Sequence, residues 1–171
     1  MIRLPLLSDA PRRRAKTPDL IGLAGFVLLS LAVLGLGGAI TATSVVTWYP
    51  TLAKPAFTPP DWLFGPMWTI LYLLMAVAGW RIWRRSSAPG RAAALTAYGI
   101  QLGLNLGWSF LFFGFRLIGL ALAEIALLLV AVAVTTALFW RIDRPASLLF
   151  LPYLLWLGYA AALNAALWRL N

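Results

Sequence analysis

The chain has no cysteine and no histidine, and only five acidic residues among 171. The first absence excludes disulfides, Cys/His zinc sites and thiolate nucleophiles; the second excludes imidazole acid–base catalysis and histidine ligation of haem. No metal site and no obligatory cofactor are expected. Charge of either sign is scarce: 11% of residues are charged and 62% hydrophobic, with a mean hydropathy of +0.86. A soluble domain keeps about a quarter of its residues charged, so a water-soluble fold is excluded. A single membrane domain is expected, because the segments between the apolar runs are too short to fold separately.

The net charge of +9 suggests nucleic acid until the bases are placed. Arg3, Arg12, Arg13, Arg14 and Lys16 precede the first apolar run; Arg81, Arg84, Arg85, Arg91, Arg141 and Arg144 flank two later connections. Only Lys54, Arg116 and Arg169 fall on the other side. Such asymmetry orients a membrane protein with its N-terminus in the cytoplasm. No basic face carries interleaved base-stacking groups, so no nucleic-acid partner is expected.

Five apolar runs, at about 20–46, 66–83, 92–113, 117–140 and 146–168, each have roughly the 17–25 residues that cross a hydrocarbon core. The expected fold is an all-α integral membrane protein: a five-transmembrane-helix bundle over residues 20–171, preceded by a basic cytoplasmic leader, residues 1–19. Thr41, Thr43, Ser44 and Thr47 predict fraying or a bend at the end of the first span. The connection after it, residues 48–64, carries Pro50, Pro55, Pro59 and Pro60, which forbid a continuous helix. It also carries Trp48, Tyr49, Phe57 and Trp62, so this Pro/aromatic-rich loop between helices 1 and 2 is expected to fold back over the bundle mouth as a lid. Pro152 predicts a kink in span five, and Gly114 reads as ordinary helix punctuation.

Span three has two faces. At about 100° per residue, Gly99, Gly103 and Gly107 lie within about 80° of one another, and Gln101, Asn105, Trp108 and Phe112 lie about 170° away. The glycines form a small-residue stripe that lets helices approach closely in lipid, against another span or a second protomer of a homodimer. The amide face points away from lipid, either into an interhelical hydrogen-bond network or into a pocket. Tyr153, Trp156, Ala160 and Asn164 form a similar stripe on span five, and Trp68 and Tyr72 a pair on span two; aromatic packing and pocket lining are both open to them. Trp80, Trp83, Trp140 and Trp168 sit at span ends, as an interfacial belt does. Glu124 is the one acid inside a span. Arg116 is two turns away and within reach by snorkelling, and a structural or interface role suits it better than a proton relay.

The motifs Trp48-Tyr49-x-x-Leu52-x-Lys54-Pro55-x-x-x-Pro59-Pro60, Phe64-x-x-x-Trp68-Thr69-x-Leu71-Tyr72, Gln101-Leu102-x-x-Asn105-x-x-Trp108-Ser109-x-x-Phe112-Phe113, Pro152-Tyr153-x-x-Trp156 and Leu163-Asn164-x-x-x-Trp168-Arg169-x-Asn171 together resemble the TspO/translocator protein family. Its members include tryptophan-rich sensory proteins and the peripheral-type benzodiazepine receptor. The resemblance implies a five-helix bundle, often dimeric, that binds porphyrins and other apolar ligands beneath the first loop. By that resemblance Tyr49, Trp68, Asn105, Trp108, Trp156 and Ala160 would line the pocket. Trp68 and Trp156 would be the catalytic tryptophans of a proposed light- and oxygen-dependent degradation of protoporphyrin IX. The animal cholesterol-recognition stretch is not matched: Ala165 stands where its tyrosine would be, and Tyr159 lies about ten residues before Arg169, outside the one-to-five spacing of that motif.

The leading expectation is a bacterial-type cell-membrane receptor or sensor for tetrapyrroles, with protoporphyrin IX or haem as ligand rather than cofactor. Tyr49, Gln101 and Asn105 would orient polar edges and Lys54 would meet a propionate at the mouth, with Trp68, Tyr72, Trp108, Tyr153, Trp156, Ala160 and Asn164 around the ring. The alternatives are the photochemical enzyme and a lipid or porphyrin transporter. Membrane lipid and a second copy, through Gly99, Gly103 and Gly107, are the other expected partners.

Overall fold

The structure, a computed structural model, describes residues 17–171, so residues 1–16 of the basic leader lie outside the described residues. The chain forms α1 (Thr17–Thr47), α2 (Phe64–Trp83), α3 (Arg91–Ser109), α4 (Ile118–Ile142), α5 (Arg144–Leu148) and α6 (Leu151–Leu170). No strand occurs among the described residues. Four segments, Asp19–Thr47, Asp61–Trp83, Ile118–Ile142 and Arg144–Leu170, are long and apolar enough to cross a membrane. The helix α3 is less apolar because it carries the amides and glycines of its two faces, and it packs among the other four. Around the bundle α1 touches α2 and α3, α3 touches α4, α4 touches α6, and α2 touches α5.

Three local features differ from the sequence expectations. α1 runs unbroken through its polar end. Thr41 and Thr47 donate to the carbonyls of Gly37 and Thr43 one turn back, and Ser44 donates across to Phe113 O, so the hydroxyls are satisfied without fraying. α3 ends in a π-helical turn, Phe110–Gly114, which inserts a residue and re-aims the side chains after it. The left-handed position that caps it belongs to Arg116 (φ 59°) rather than to Gly114, with Leu117 N–H reaching back to Leu111 O. The expected break in span five is present: α5 ends at Leu148, α6 begins at Leu151, and Pro152 sits in the first turn of α6, where its missing N–H costs nothing.

The two ends of the bundle are held differently. At the end bearing the arginines, Asp143 is buried and caps α5 through Ala146 N–H. Arg81 and Arg85 from the end of α2 both reach it, at 3.0 and 2.8 Å, and Arg84 pairs with Asp19 of α1. Burial pushes the Asp143 carboxyl up, but the hydrogen bonds from Arg85, Ala146 and Arg81 outweigh it and hold the group below the usual carboxylate range. In the core next to this end α1 and α2 approach closely: a Cβ on Gly79 would lie 2.8 Å from the Phe26 ring. At the loop end the helices part. There the space between α2 and α6 is spanned by rings, Trp68 against Tyr153 at 6.1 Å and Phe64 against Trp156 at 6.0 Å.

Candidate ligand-binding cavity

A cavity of about 210 Å³ opens where the helices part. α1 contributes Gly37, Gly38 and Thr41, whose small size sets the wall back; α2 contributes Phe64, Trp68 and Tyr72; α3 and its π turn contribute Asn105, Trp108 and Phe112; and α6 contributes Trp156, Ala160 and Asn164. Tyr49, in the short turn after α1, closes it above. Trp108 stacks on Phe112 at 5.0 Å, and Phe112 meets Phe113 edge-on at 4.9 Å, so one wall is a continuous aromatic surface. Gly38 and Gly65 are exposed and no side chain stands within 4 Å of either, which leaves the wall open between α1 and α2.

The polar groups of the cavity divide into committed and uncommitted. Asn105 accepts from Tyr72 Oη and donates through Nδ2 to Tyr153 Oη. Trp108 Nε1 donates to Asn164 Oδ1, whose Nδ2 in turn donates to Ile118 O. These two chains tie α2, α3 and α6, and α3, α6 and α4, and each amide uses both its oxygen and its nitrogen in them. Tyr49 Oη and Trp156 Nε1 are buried and have no hydrogen-bond partner among the described residues. Burial, with smaller contributions from Asp61 and Tyr159, pushes the Tyr49 phenol up to about 12, so it stays protonated and able to donate. Lys54 Nζ stands 4.3 Å over the Tyr49 ring. The loop that carries it is clasped to α6: Asn171 Oδ1 accepts from Ala53 N–H, its Nδ2 donates to Ala53 O, and Tyr159 Oη donates to Phe57 O.

Comparison with known proteins places this architecture. The family model described as TspO/MBR family matches residues 26–169. The chain belongs to the TspO/MBR family. It is similar to the tryptophan-rich protein TspO of Chlorobaculum tepidum, at 38% identity over 90% of this chain and 98% of that one. It is also similar to the protein of the same name from Archaeoglobus fulgidus, at 41% identity over 90% and 99%. The translocator protein of Bos taurus is 37% identical over 90% of this chain and 92% of its own length. With its long apolar helices, this chain is an integral membrane protein of that family.

Within this TspO/MBR cavity the sequence-predicted residues are placed as follows. Tyr49, Trp68, Tyr72, Asn105, Trp108, Trp156, Ala160 and Asn164 line it. Tyr153 does not; it is fully buried behind Asn105 and fixes that amide. Gln101 does not line it either. It sits one turn below Asn105, fully buried, and neither end of its amide has a partner among the described residues. Lys54 stands over Tyr49 at the mouth, outside the lining. Of the two amides expected to orient a ligand, Gln101 does not line the cavity, and Asn105, which does, also bonds Tyr72 and Tyr153. Arg116 does not approach Glu124 as expected; it lies 5.8 Å over the Trp48 ring. The Glu124 oxygens lie buried, without a hydrogen-bond partner, beside Gly107. Gly99 and Gly103 are exposed with nothing within 4 Å, so no other described span packs on that part of the stripe.

Sequence reasoning missed the whole α1 wall and Phe113; Phe112 shares the face of span three that carries Asn105 and Trp108. The Gly37-Gly38 pair followed by Thr41 was a usable signal for a recessed wall. The π turn that sets Phe113 against Phe112 and Tyr49 has no signature in the residues themselves.

Proposed function

We propose that this protein is a membrane receptor or sensor that binds tetrapyrroles and similar flat apolar molecules in the tryptophan-rich cavity. The observation that carries the reading is the pairing of an aromatic wall with two buried donors, Tyr49 Oη and Trp156 Nε1, that nothing in the described chain satisfies. Lipid-facing packing needs neither; a ring system edged by acceptors uses both. The enclosed volume is below the roughly 300–1,000 Å³ of typical ligand sites, so a porphyrin would extend through the opening beside Gly38 and Gly65. Membership of a family whose relatives carry the names tryptophan-rich sensory protein and translocator protein supports a receptor or sensor role at a membrane.

Saturable quenching of tryptophan fluorescence by protoporphyrin IX in the purified protein tests the reading. Trp156→Ala is expected to weaken binding at least several-fold, since it removes a wall and a donor together. Wild type that fails to saturate, or a variant with unchanged affinity, would refute the site. A photochemical enzyme is the second reading, favoured by the position of Trp68 and Trp156 in the same lining. Under light in air, repeated porphyrin turnover that is lost in Trp68→Phe and Trp156→Phe would establish it; loss of porphyrin that stops near one equivalent would leave the receptor.

A further inference from the structure

We propose that the seam between α1 and α2 at the arginine-bearing end binds one anionic phospholipid: an acyl chain lies in the groove beside Gly22 and Gly25, and the phosphate meets the Arg91 guanidinium. The groove shares no lining residue with the aromatic cavity, and the proposal does not rest on the receptor reading.

Gly22, Gly25, Phe26 and Leu29 of α1 and Trp83 of α2 line an open groove of about 260 Å³. Trp83 lies against the α1 backbone, where a Cβ on Gly22 would overlap its ring. Gly25 is exposed and nothing stands within 4 Å of where its Cβ would be, so its face leaves room for a neighbour. From Gly22 to Leu29 the groove runs about 10 Å along the helix. It lies within Asp19–Thr47, a segment long and apolar enough to cross a membrane, so it faces hydrocarbon. Its lining is apolar apart from the Trp83 indole N–H. A flexible acyl chain fits such a hollow, because in lipid the gain comes from van der Waals contact rather than from leaving water.

Charge selects the headgroup. Arg91, the first residue of α3, donates through Nε to the carbonyl of Trp83 at 3.0 Å. That bond holds the guanidinium at the residue whose ring walls the groove. Its remaining N–H groups have no acceptor, and it has no ion-pair partner, among the described residues. The neighbouring bases are committed: Arg81 and Arg85 to Asp143, and Arg84 to Asp19. Asp19, one turn before Gly22, opposes an anion here, and Arg84 offsets it at 3.2 Å. The whole end carries Arg81, Arg84, Arg85, Arg91, Arg141 and Arg144 against Asp19 and Asp143 among the described residues. A planar guanidinium fork pairs with phosphate oxygens through parallel charge-assisted hydrogen bonds. Other occupants bring the wrong charge. The leader holds Arg3, Arg12, Arg13, Arg14 and Lys16 against Asp9, and a second copy repeats the same surplus of arginines. Free phosphate has the charge but nothing to lie in the groove.

Native mass spectrometry of the full chain in a mild detergent counts bound lipid and tests the site. Dioleoyl phosphatidylglycerol and dioleoyl phosphatidylcholine, which share their chains, are titrated alongside glycerol 3-phosphate, which has none. The first phosphatidylglycerol is expected to bind wild type about fivefold tighter than the first phosphatidylcholine, as one base beside an anionic headgroup gives. Glycerol 3-phosphate is expected not to bind at the same concentrations. Arg91→Gln should bring the two lipids within about twofold of each other. Arg141→Gln removes the same charge from α4, which the groove does not touch, and should keep the preference. Gly25→Leu has room for its side chain and should weaken both lipids several-fold by filling the groove. Thermal unfolding in lipid-free detergent, expected at the wild-type temperature for each variant, separates these losses from misfolding. Equal affinity of wild type for the two lipids, the result if the leader or a second copy fills the groove, overturns the site. So do equal losses in Arg91→Gln and Arg141→Gln, which a general surface field would give, lipid binding untouched by Gly25→Leu, or glycerol 3-phosphate bound as tightly as the lipid.

Discussion

Replacing Asn105 by alanine separates a framework residue from a ligand contact. Asn105 is 5% exposed and accepts from Tyr72 of α2 while donating to Tyr153 of α6. The variant therefore breaks two interhelical hydrogen bonds and strands two buried phenols. In bilayers such bonds are worth about 0.6 kcal/mol on average and about 1.7 at most, because the separated helices find other partners. Two of them give about 1–3 kcal/mol of lost stability, and a smaller side chain in a packed interior adds to the loss. Tyr72→Phe and Tyr153→Phe are each expected to lose about half as much, and Tyr72→Phe in an Asn105→Ala background almost nothing further. Unfolding by a denaturing detergent, followed by tryptophan fluorescence without ligand, measures these differences. Ligand-free stability equal to wild type combined with sharply weakened porphyrin binding would refute the reasoning and return Asn105 to the ligand.

Three further outcomes are expected. Asp143 has its pKa lowered by Arg85, Ala146 and Arg81, so its contribution to stability is full above the ordinary carboxylate pKa and is lost as pH falls through the lower folded value; in Asp143→Asn, acid unfolding scanned from pH 6 to 2 should lose that component, and an unchanged profile would refute the clamp. Gly103→Leu is expected to reduce crosslinked dimer without changing porphyrin affinity, because its exposed face lies opposite the cavity-lining Asn105; loss of binding with the dimer intact would show that the stripe serves the protomer. Topology reporters should read the N-terminus as cytoplasmic and the C-terminus as external, and the reverse result would mean that the basic leader does not set orientation.

The helices were legible in the sequence because hydropathy and length are local properties. Span five kept its break near Pro152, and the proline-dense loop stayed non-helical, because proline acts on its own backbone. Eight of the expected ligand residues reached one cavity, since a helix stripe puts residues at i, i+4 and i+7 on one side wherever that side points. What the stripe cannot say is which group its atoms meet. Asn105 and Trp156 look alike as polar-aromatic candidates along the chain; only the approach of Tyr72 and Tyr153 occupies the amide, and only the lack of any neighbour leaves the indole N–H unspent. Gln101, one turn from Asn105, is fully buried and outside the cavity lining, which its spacing from Asn105 on one helix face does not reveal. Lys54 takes its place over Tyr49 from Asn171, 117 positions after it in the chain. The sequence by itself determined an apolar all-helical chain with its bases gathered near two connections. Tertiary structure decided which polar atoms are consumed in holding helices together and which remain for a ligand, because hydrogen-bond partners across a bundle are fixed by packing and not by spacing along one helix.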